Sequence, residues 1–238
     1  MEKAELLYEG KAKKMFATED KQVIWVEYLD QATALNGVMK DQIQGKGELN
    51  NQITSRIFQY LTKKGIDNHF IDILSKTEQL VKKVGVIPLE VVVRNFAAGS
   101  FSKRLAVPEG TLLPEPIIEF YYKDDSLDDP FINEAHIAFL EVATPAEIQK
   151  IKLIALQVNE ALQELFAGID LQLIDFKLEF GRLADGKILL ADEISPDTCR
   201  LWDSDSQEHM DKDVYRRKIG NLVPVYQEVL ARLNNYSF

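Results

Sequence analysis

Apolar and polar residues alternate strictly from Ile174 to Phe180. Ile174, Phe176, Leu178 and Phe180 are apolar, while Asp175, Lys177 and Glu179 are polar. A period of two puts the two sets on opposite faces of a half-buried strand. Asp185-Gly186 predicts a two-residue hairpin turn, because the favoured turn needs positive φ at both positions. Lys187 to Ile194 then returns as the partner strand. With that turn Ala184 faces Lys187 and, counting outwards, Glu179 faces Asp192. Two carboxylates directly opposite each other repel. A cation between them relieves the conflict, and Mg²⁺ takes such oxygen ligands together with substrate phosphates. Lys177, one step along the same face, is placed to meet an anion, and Asp175 lies beyond it. The face reads either as a metal–phosphate site or as a solvated surface whose charges happen to alternate.

The same reading extends along the chain. Leu6 to Phe16 predicts a hairpin with Gly10, Lys11, Ala12 and Lys13 at its tip. On a regular strand the two lysines point the same way. Glycine admits close backbone approach and lysines offer charge to phosphates, although the Walker pattern is absent. An ordinary basic turn is the plainer alternative. Val23–Val26 predicts a buried strand. A helix is expected from about Glu48, with Leu49, Ile53, Ile57, Tyr60 and Leu61 inward and Gly65 ending it; Lys40–Lys46 has no clear period. Strands are expected at 70–74, 80–86, 89–95 and 117–122. The 85–88 stretch, with Pro88, predicts a joint between two lobes, 1–86 and 87–238. Gly99-Ser100 predicts a helix entrance that suits an anion, or a serine that simply caps the helix. Arg94, just before it, carries a planar fork matched to phosphate or carboxylate. Thr144-Pro145-Ala146-Glu147 has the form of a capping box and opens a long helix ending at Gly168. Asp211 is expected to cap a C-terminal helical region, and Leu222–Leu233 to form the last amphipathic helix.

Composition narrows the function classes. At 238 residues with 46% apolar content the chain can bury a large core. Its formal charge of −10 argues against a general nucleic-acid or anionic-membrane surface. A local lysine and arginine cluster can still bind a small anion. One cysteine, Cys199, allows no internal disulfide and suits a reducing cytosol. The start of the chain has no apolar signal core, and no apolar run approaches membrane-spanning length. His69, His136 and His209 lack zinc-ligand spacing, which makes a histidine metal site unexpected.

Three blocks carry a family resemblance. DFKLEFG at 175–181 followed by DEISPDTCRLWD at 192–203, VRNFAAGS at 93–100 and YEGKAK at 8–13 occur in one order over nearly the whole chain. Together they closely resemble the SAICAR synthetases (phosphoribosylaminoimidazole-succinocarboxamide synthases). The resemblance implies an α+β fold of two lobes, an N-terminal antiparallel sheet and a larger C-terminal α/β lobe, with ATP in the cleft between them. It implies an ATP-dependent ligase of purine biosynthesis that joins L-aspartate to 5-amino-1-(5-phosphoribosyl)imidazole-4-carboxylate through an acyl phosphate. Gly10, Lys11, Ala12, Lys13, Lys82 and Lys123 are then expected around ATP, with Glu179 and Asp192 holding Mg²⁺. For Lys82 the plain alternative is an edge strand blunted by charge. Lys177 is expected at the reacting groups. Asp175 is expected to orient Lys177 or a substrate group, and a role as base for the amine is also open. Arg94, Ser100, Asp197, Arg200, Lys212 and Arg216 are expected around the ribotide and its partner substrate. Small-molecule substrates and a homo-oligomer are the expected partners. A small-molecule kinase would use the same lysines and carboxylates, but its ADP release would not depend on aspartate.

Overall fold

The computed structural model describes residues 1–34 and 39–238. An antiparallel sheet is built from β1 (Leu6–Glu9), β2 (Lys13–Ala17), β3 (Val23–Tyr28), β6 (Phe70–Ile73) and β7 (Glu78–Lys82), in the order β1-β2-β3-β7-β6. β4 (Gln31–Ala34) and β5 (Met39–Gln42) form a separate pair, and the stretch between them, 35–38, lies outside the described residues. The second sheet contains β8 (Gly85–Phe96), β9 (Leu112–Tyr122), β10 (Phe131–Ile132), β11 (Leu171–Arg182), β12 (Ile188–Ala191) and β13 (Cys199–Asp203). Its order is β10-β9-β8-β11-β12, with β13 also paired to β11. Six helices complete the described chain: α1 (Lys46–Lys63), α2 (Gly99–Leu105), α3 (Glu134–Phe139), α4 (Pro145–Ala167), α5 (Asp213–Arg216) and α6 (Leu222–Asn235). This is an α+β architecture of two antiparallel sheets.

β11 is the central strand. It pairs with β8 along one side, and on the other with β13 over its first half and β12 over its second. Between β12 and β13 the chain from Asp192 to Thr198 leaves the sheet at the level of Lys177, whose N–H donates to the Thr198 carbonyl at 2.8 Å. The alternation does its expected work. Phe176, Leu178 and Phe180 enter one core with Ile151, Ala155, Val158 and Leu162 of α4. Burying each large side chain is worth about 1.5–3 kcal/mol. The Thr144–Glu147 capping box forms in both directions and fixes where α4 begins. α1 buries Ile53, Ile57, Phe58 and Leu61 in this same core, and α6 packs beside it. At the end of α1 the Ile66 N–H donates to the Leu61 carbonyl and the Gly65 N–H to that of Thr62, a Schellman closure.

Several expectations change. The hairpin loop has three residues, Ala184–Gly186, closed by the Leu183 N–H donating to the Lys187 carbonyl at 2.9 Å. Gly186, at φ 84°, supplies the left-handed position that a three-residue loop needs. The register moves by one, so Glu179 faces Ala191 and not Asp192. The like-charge neighbour of Glu179 is instead Glu90 on β8. The 85–88 stretch begins β8 and pairs through Gly85 and Val86 with Arg182 and Gly181. The expected strand at 80–86 accordingly breaks after Lys82. Ser100 does not cap α2, which starts after Ala98 without a side-chain cap. Lys212 occupies the cap position of α5, although Asp211 still accepts from the Asp213 N–H at 2.7 Å.

Candidate functional site: a lysine–carboxylate seam beside an arginine cluster

The polar face of β11 carries Asp175, Lys177 and Glu179 in a row. Successive positions on one face of a strand are about 7 Å apart. At the Glu179 end, lysines and carboxylates gather from both sheets. Lys177 Nζ donates to Glu90 Oε1 at 2.9 Å and to Glu179 Oε1 at 2.8 Å. It thereby relieves the repulsion between these cross-strand neighbours. Lys123, just past β9, donates to the same Glu179 oxygen at 2.8 Å. Lys13, at the start of β2, donates to Asp192 Oδ1 and sits 3.4 Å from Glu193. Burial works against the charge on Lys177, Lys13 and Lys123. The facing carboxylates outweigh it and raise all three ammonium pKa values. Burial likewise opposes the charge of Asp192, but Lys13 and Lys177 hold it well below the ordinary carboxylate range.

Lys11 and Lys13 do not share a direction. Lys11 stands in the turn before β2 and reaches Asp125 at 2.7 Å, so regular strand geometry does not apply to it. Gly10 and Ala12 complete that turn, with the Gly10 N–H donating to the Lys13 carbonyl at 2.8 Å. Lys82 ends β7, and its ammonium donates to the Asn68 carbonyl at 3.1 Å.

At the Asp175 end the partners are arginines. Asp175 sits directly across from Arg94 on β8 and Arg200 on β13. Arg94 Nη1 donates to it at 2.5 Å and Arg200 Nη1 at 2.9 Å. With its carboxylate held by two guanidinium groups, Asp175 orients arginines and makes no bond to the Lys177 ammonium. Arg94 also donates to Glu119 at 2.8 Å and to Ser100 Oγ at 3.2 Å. Burial disfavours the Arg94 charge, but Asp175 and Glu119 raise its pKa further. Gly99 has φ 55°, and a methyl group there would meet Arg200 Nη2 at 2.4 Å, so glycine lets α2 start against this guanidinium without displacing it.

Behind the arginines, Arg200 Nε and Arg216 Nη1 donate to Asp213 at 3.0 and 2.8 Å. The Asp197 side chain is 5% exposed. It accepts from Lys46 at 2.6 Å, Lys212 at 3.3 Å and the Tyr226 hydroxyl at 2.5 Å. Burial lowers the Lys212 pKa, with Asp197 opposing that shift and Lys46 adding to it. His209, Asp211 and Asp213 also come together, within 4.8 Å, which their spacing did not suggest. Asp213 is taken by arginines, and Asp211 by the N–H groups of Leu201 and Asp213.

Sequence reasoning gave no role to Lys46, His69, Glu90, Glu119, Asp213 or Tyr226. Glu90 had a signal, because it shares a strand face with Arg94. Lys46 and Tyr226 had none, since neither period nor motif marks a charged or phenolic group that will be buried. Burial of Cys199 pushes its thiol pKa up, which keeps it an unreactive thiol.

Lysines and carboxylates gathered where the two sheets meet are the groups that enzymes handling nucleotide phosphates use, and the comparisons name the family. The profile of the SAICAR synthetase family matches residues 6–233. The phosphoribosylaminoimidazole-succinocarboxamide synthase of Enterococcus faecalis is 66% identical over 98% of both chains. The crystal structure of that synthase from Ehrlichia chaffeensis superimposes with TM-score 0.95 at 48% identity, covering 98% of this chain and 100% of its own. A SAICAR synthetase in complex with ADP gives TM-score 0.93 at 48% identity, covering 97% and 98%. The chain belongs to the SAICAR synthetase family. It is an ATP-dependent ligase that forms SAICAR in purine biosynthesis.

Proposed function

We propose that the two ends of the β11 face hold the two phosphorylated substrates. ATP takes the Glu179 end, under the Gly10–Lys13 turn and beside Lys82 and Lys123. The ribotide 5-amino-1-(5-phosphoribosyl)imidazole-4-carboxylate takes the Asp175 end, where Arg94, Ser100 and Arg200 gather. The observation that carries this reading is the row itself: Lys177, bonded into the lysine–carboxylate cluster, is the next same-face position along β11 from Asp175 and its two arginines. The lobes 1–86 and 87–238 then act as nucleotide cover and substrate platform.

Mg²⁺ fits the Glu179 end. Both carboxylates are hard oxygen donors. Glu179 Oε2 and Asp192 Oδ2 accept no hydrogen bond among the described residues, whereas their partner oxygens are held by lysines. Bound there, Mg²⁺ would offset charge on the ATP phosphates. The residues do the rest by position and charge. Lys13 and Lys123 face the nucleotide phosphates. Lys177 meets the ribotide carboxylate as it takes the γ-phosphoryl group, and the resulting acyl phosphate is attacked by the amine of L-aspartate with release of phosphate. Asp175 keeps Arg94 and Arg200 aimed. Asp197 holds Lys212, and Asp213 holds Arg216, behind the Arg94 and Arg200 cluster.

Cytoplasmic location suits the lone buried thiol, and no helix among the described residues is long and apolar enough to cross a membrane. A homo-oligomer is part of the proposal, and sedimentation would test it. The assay that tests the chemistry is ADP release with Mg-ATP, ribotide and L-aspartate, omitting one at a time. Dependence on all three, with SAICAR formed mole for mole with ADP, is the expected result. Release without aspartate incorporation would sink it. Glu179→Gln and Asp192→Asn should each cut Mg²⁺-dependent turnover by about tenfold or more, which is ~1.4 kcal/mol in the barrier. Unchanged turnover in both variants removes the metal assignment.

A further inference from the structure

Asp192 follows the last residue of β12 and has φ 60°, the left-handed region that aspartate enters more readily than most non-glycine residues and that its contacts select here. Its carboxylate is gripped by Lys13. Its carbonyl is gripped separately by His69, whose Nε2 lies 3.1 Å from the Asp192 oxygen. A carbonyl oxygen only accepts, so Nε2 carries the proton in this contact.

His69 comes from the link between α1 and β6 and is itself fixed on several sides. Its N–H donates to the Leu190 carbonyl at 2.9 Å, and its carbonyl accepts from the Lys82 N–H at 2.6 Å. Asn68 forms a parallel bridge to Leu190. The imidazole meets the Phe58 ring edge-on, with centroids 5.4 Å apart and planes at 82°. The link thus runs alongside the end of β12 and clasps residues 190 to 192. The imidazole supplies the last contact of that clasp.

We infer that His69 is a positioning residue for metal–nucleotide binding: its Nε2–H holds the Asp192 peptide in the left-handed conformation that aims the Asp192 carboxylate at the lysine cluster of Lys13 and Lys177. Outer contacts that orient a ligating group commonly change metal affinity by 10–100-fold when lost. This inference rests on the reading of Asp192 as a Mg²⁺ ligand, and the experiment separates the two.

The experiment titrates Mn²⁺ into the protein saturated with ADP and counts free Mn²⁺ by electron paramagnetic resonance, with no turnover involved. Wild type is compared with His69→Gln, His69→Asn, His69→Leu and Asp192→Asn, and thermal unfolding of each reports folding. The glutamine amide can reach the Asp192 carbonyl, the asparagine amide is one methylene short, and leucine has no donor. Expected is near-wild-type Mn²⁺ affinity in His69→Gln, within about twofold, and a loss of about tenfold in His69→Asn and His69→Leu. Equal Mn²⁺ affinity in His69→Gln and His69→Asn would overturn the inference, even if His69→Leu failed to fold. So would wild-type affinity in a folded His69→Leu. If Asp192→Asn binds Mn²⁺ as wild type does, the metal reading itself fails. If Asp192→Asn is weak while every His69 variant is normal, only the role of His69 fails.

Discussion

At the scale of single residues, buried carboxylates are compensated by bonded cations or by backbone N–H groups. Asp197 is the clearest case, with Lys46, Lys212 and Tyr226 all bonded to it in the interior. Asp197→Asn keeps the shape but leaves two buried ammonium groups without a counter-ion. Removing one member of such a set costs about 3–5 kcal/mol, to be read by urea unfolding at neutral pH. Burial already lowers the Lys212 pKa, and Asp197 is the group that resists this. Without Asp197 the lysine loses its proton at lower pH, so the deficit of the variant should shrink as pH rises. A deficit that stays constant into the alkaline range would mean that Lys212 does not feel Asp197. Cys199 gives a simpler test. Its thiol is buried and its pKa is pushed up, so a thiol reagent should leave the native protein unlabelled and modify one group after denaturation.

At the scale of elements, the start of α4 couples helix capping to the sheet. Glu147 accepts from Thr144 within the box and also takes Arg182, at the end of β11, at 3.0 Å. Arg182 is the first cause that lowers the Glu147 pKa, to about 2 from 4.5. A carboxylate depressed on folding adds stability that is fully present above the unfolded pKa and is lost as pH falls through the folded one. The melting-temperature gap between wild type and Glu147→Gln should therefore be steady above pH 4.5 and close towards pH 2. A gap that keeps its full neutral-pH size at pH 2.5 would refute the coupling. This element was legible, because a capping box is local chemistry. The alternation of β11 was legible for the same kind of reason, and so was the row of Asp175, Lys177 and Glu179. The register was not. Asp185-Gly186 fits a two-residue and a three-residue loop equally well, and the choice depends on how Leu183 and Lys187 bond. That one-residue difference removed the predicted pairing of Glu179 with Asp192. The two still share one charge cluster, because Asp192 turns out of the sheet through its left-handed backbone. No periodic pattern encodes that turn.

At the scale of the whole molecule, the first sheet touches the second through its hairpin tip, and the two lysines there play unequal parts. Lys11 and Asp125 are both exposed, and such pairs contribute about 0–1 kcal/mol. Lys11→Ala should therefore move the melting temperature of the ligand-free protein by no more than about 2–4 °C. Lys13 is buried against Asp192 and Glu193 and is the cation of the first sheet that offsets them. Lys13→Ala leaves two carboxylates together with less compensation, which should destabilise the ligand-free protein well beyond Lys11→Ala. It also frees the Asp192 oxygen that Lys13 occupies. A divalent cation can then take both the place and the charge of the ammonium. Millimolar Mg²⁺ without nucleotide should thus raise the melting temperature of Lys13→Ala more than that of wild type, because in wild type the metal shares these carboxylates with Lys13. Adding Asp192→Asn to the variant should abolish the excess. If Mg²⁺ shifts Lys13→Ala and wild type equally, the metal does not share Asp192 with Lys13, and the two sheets are joined there by an ion pair unrelated to metal binding.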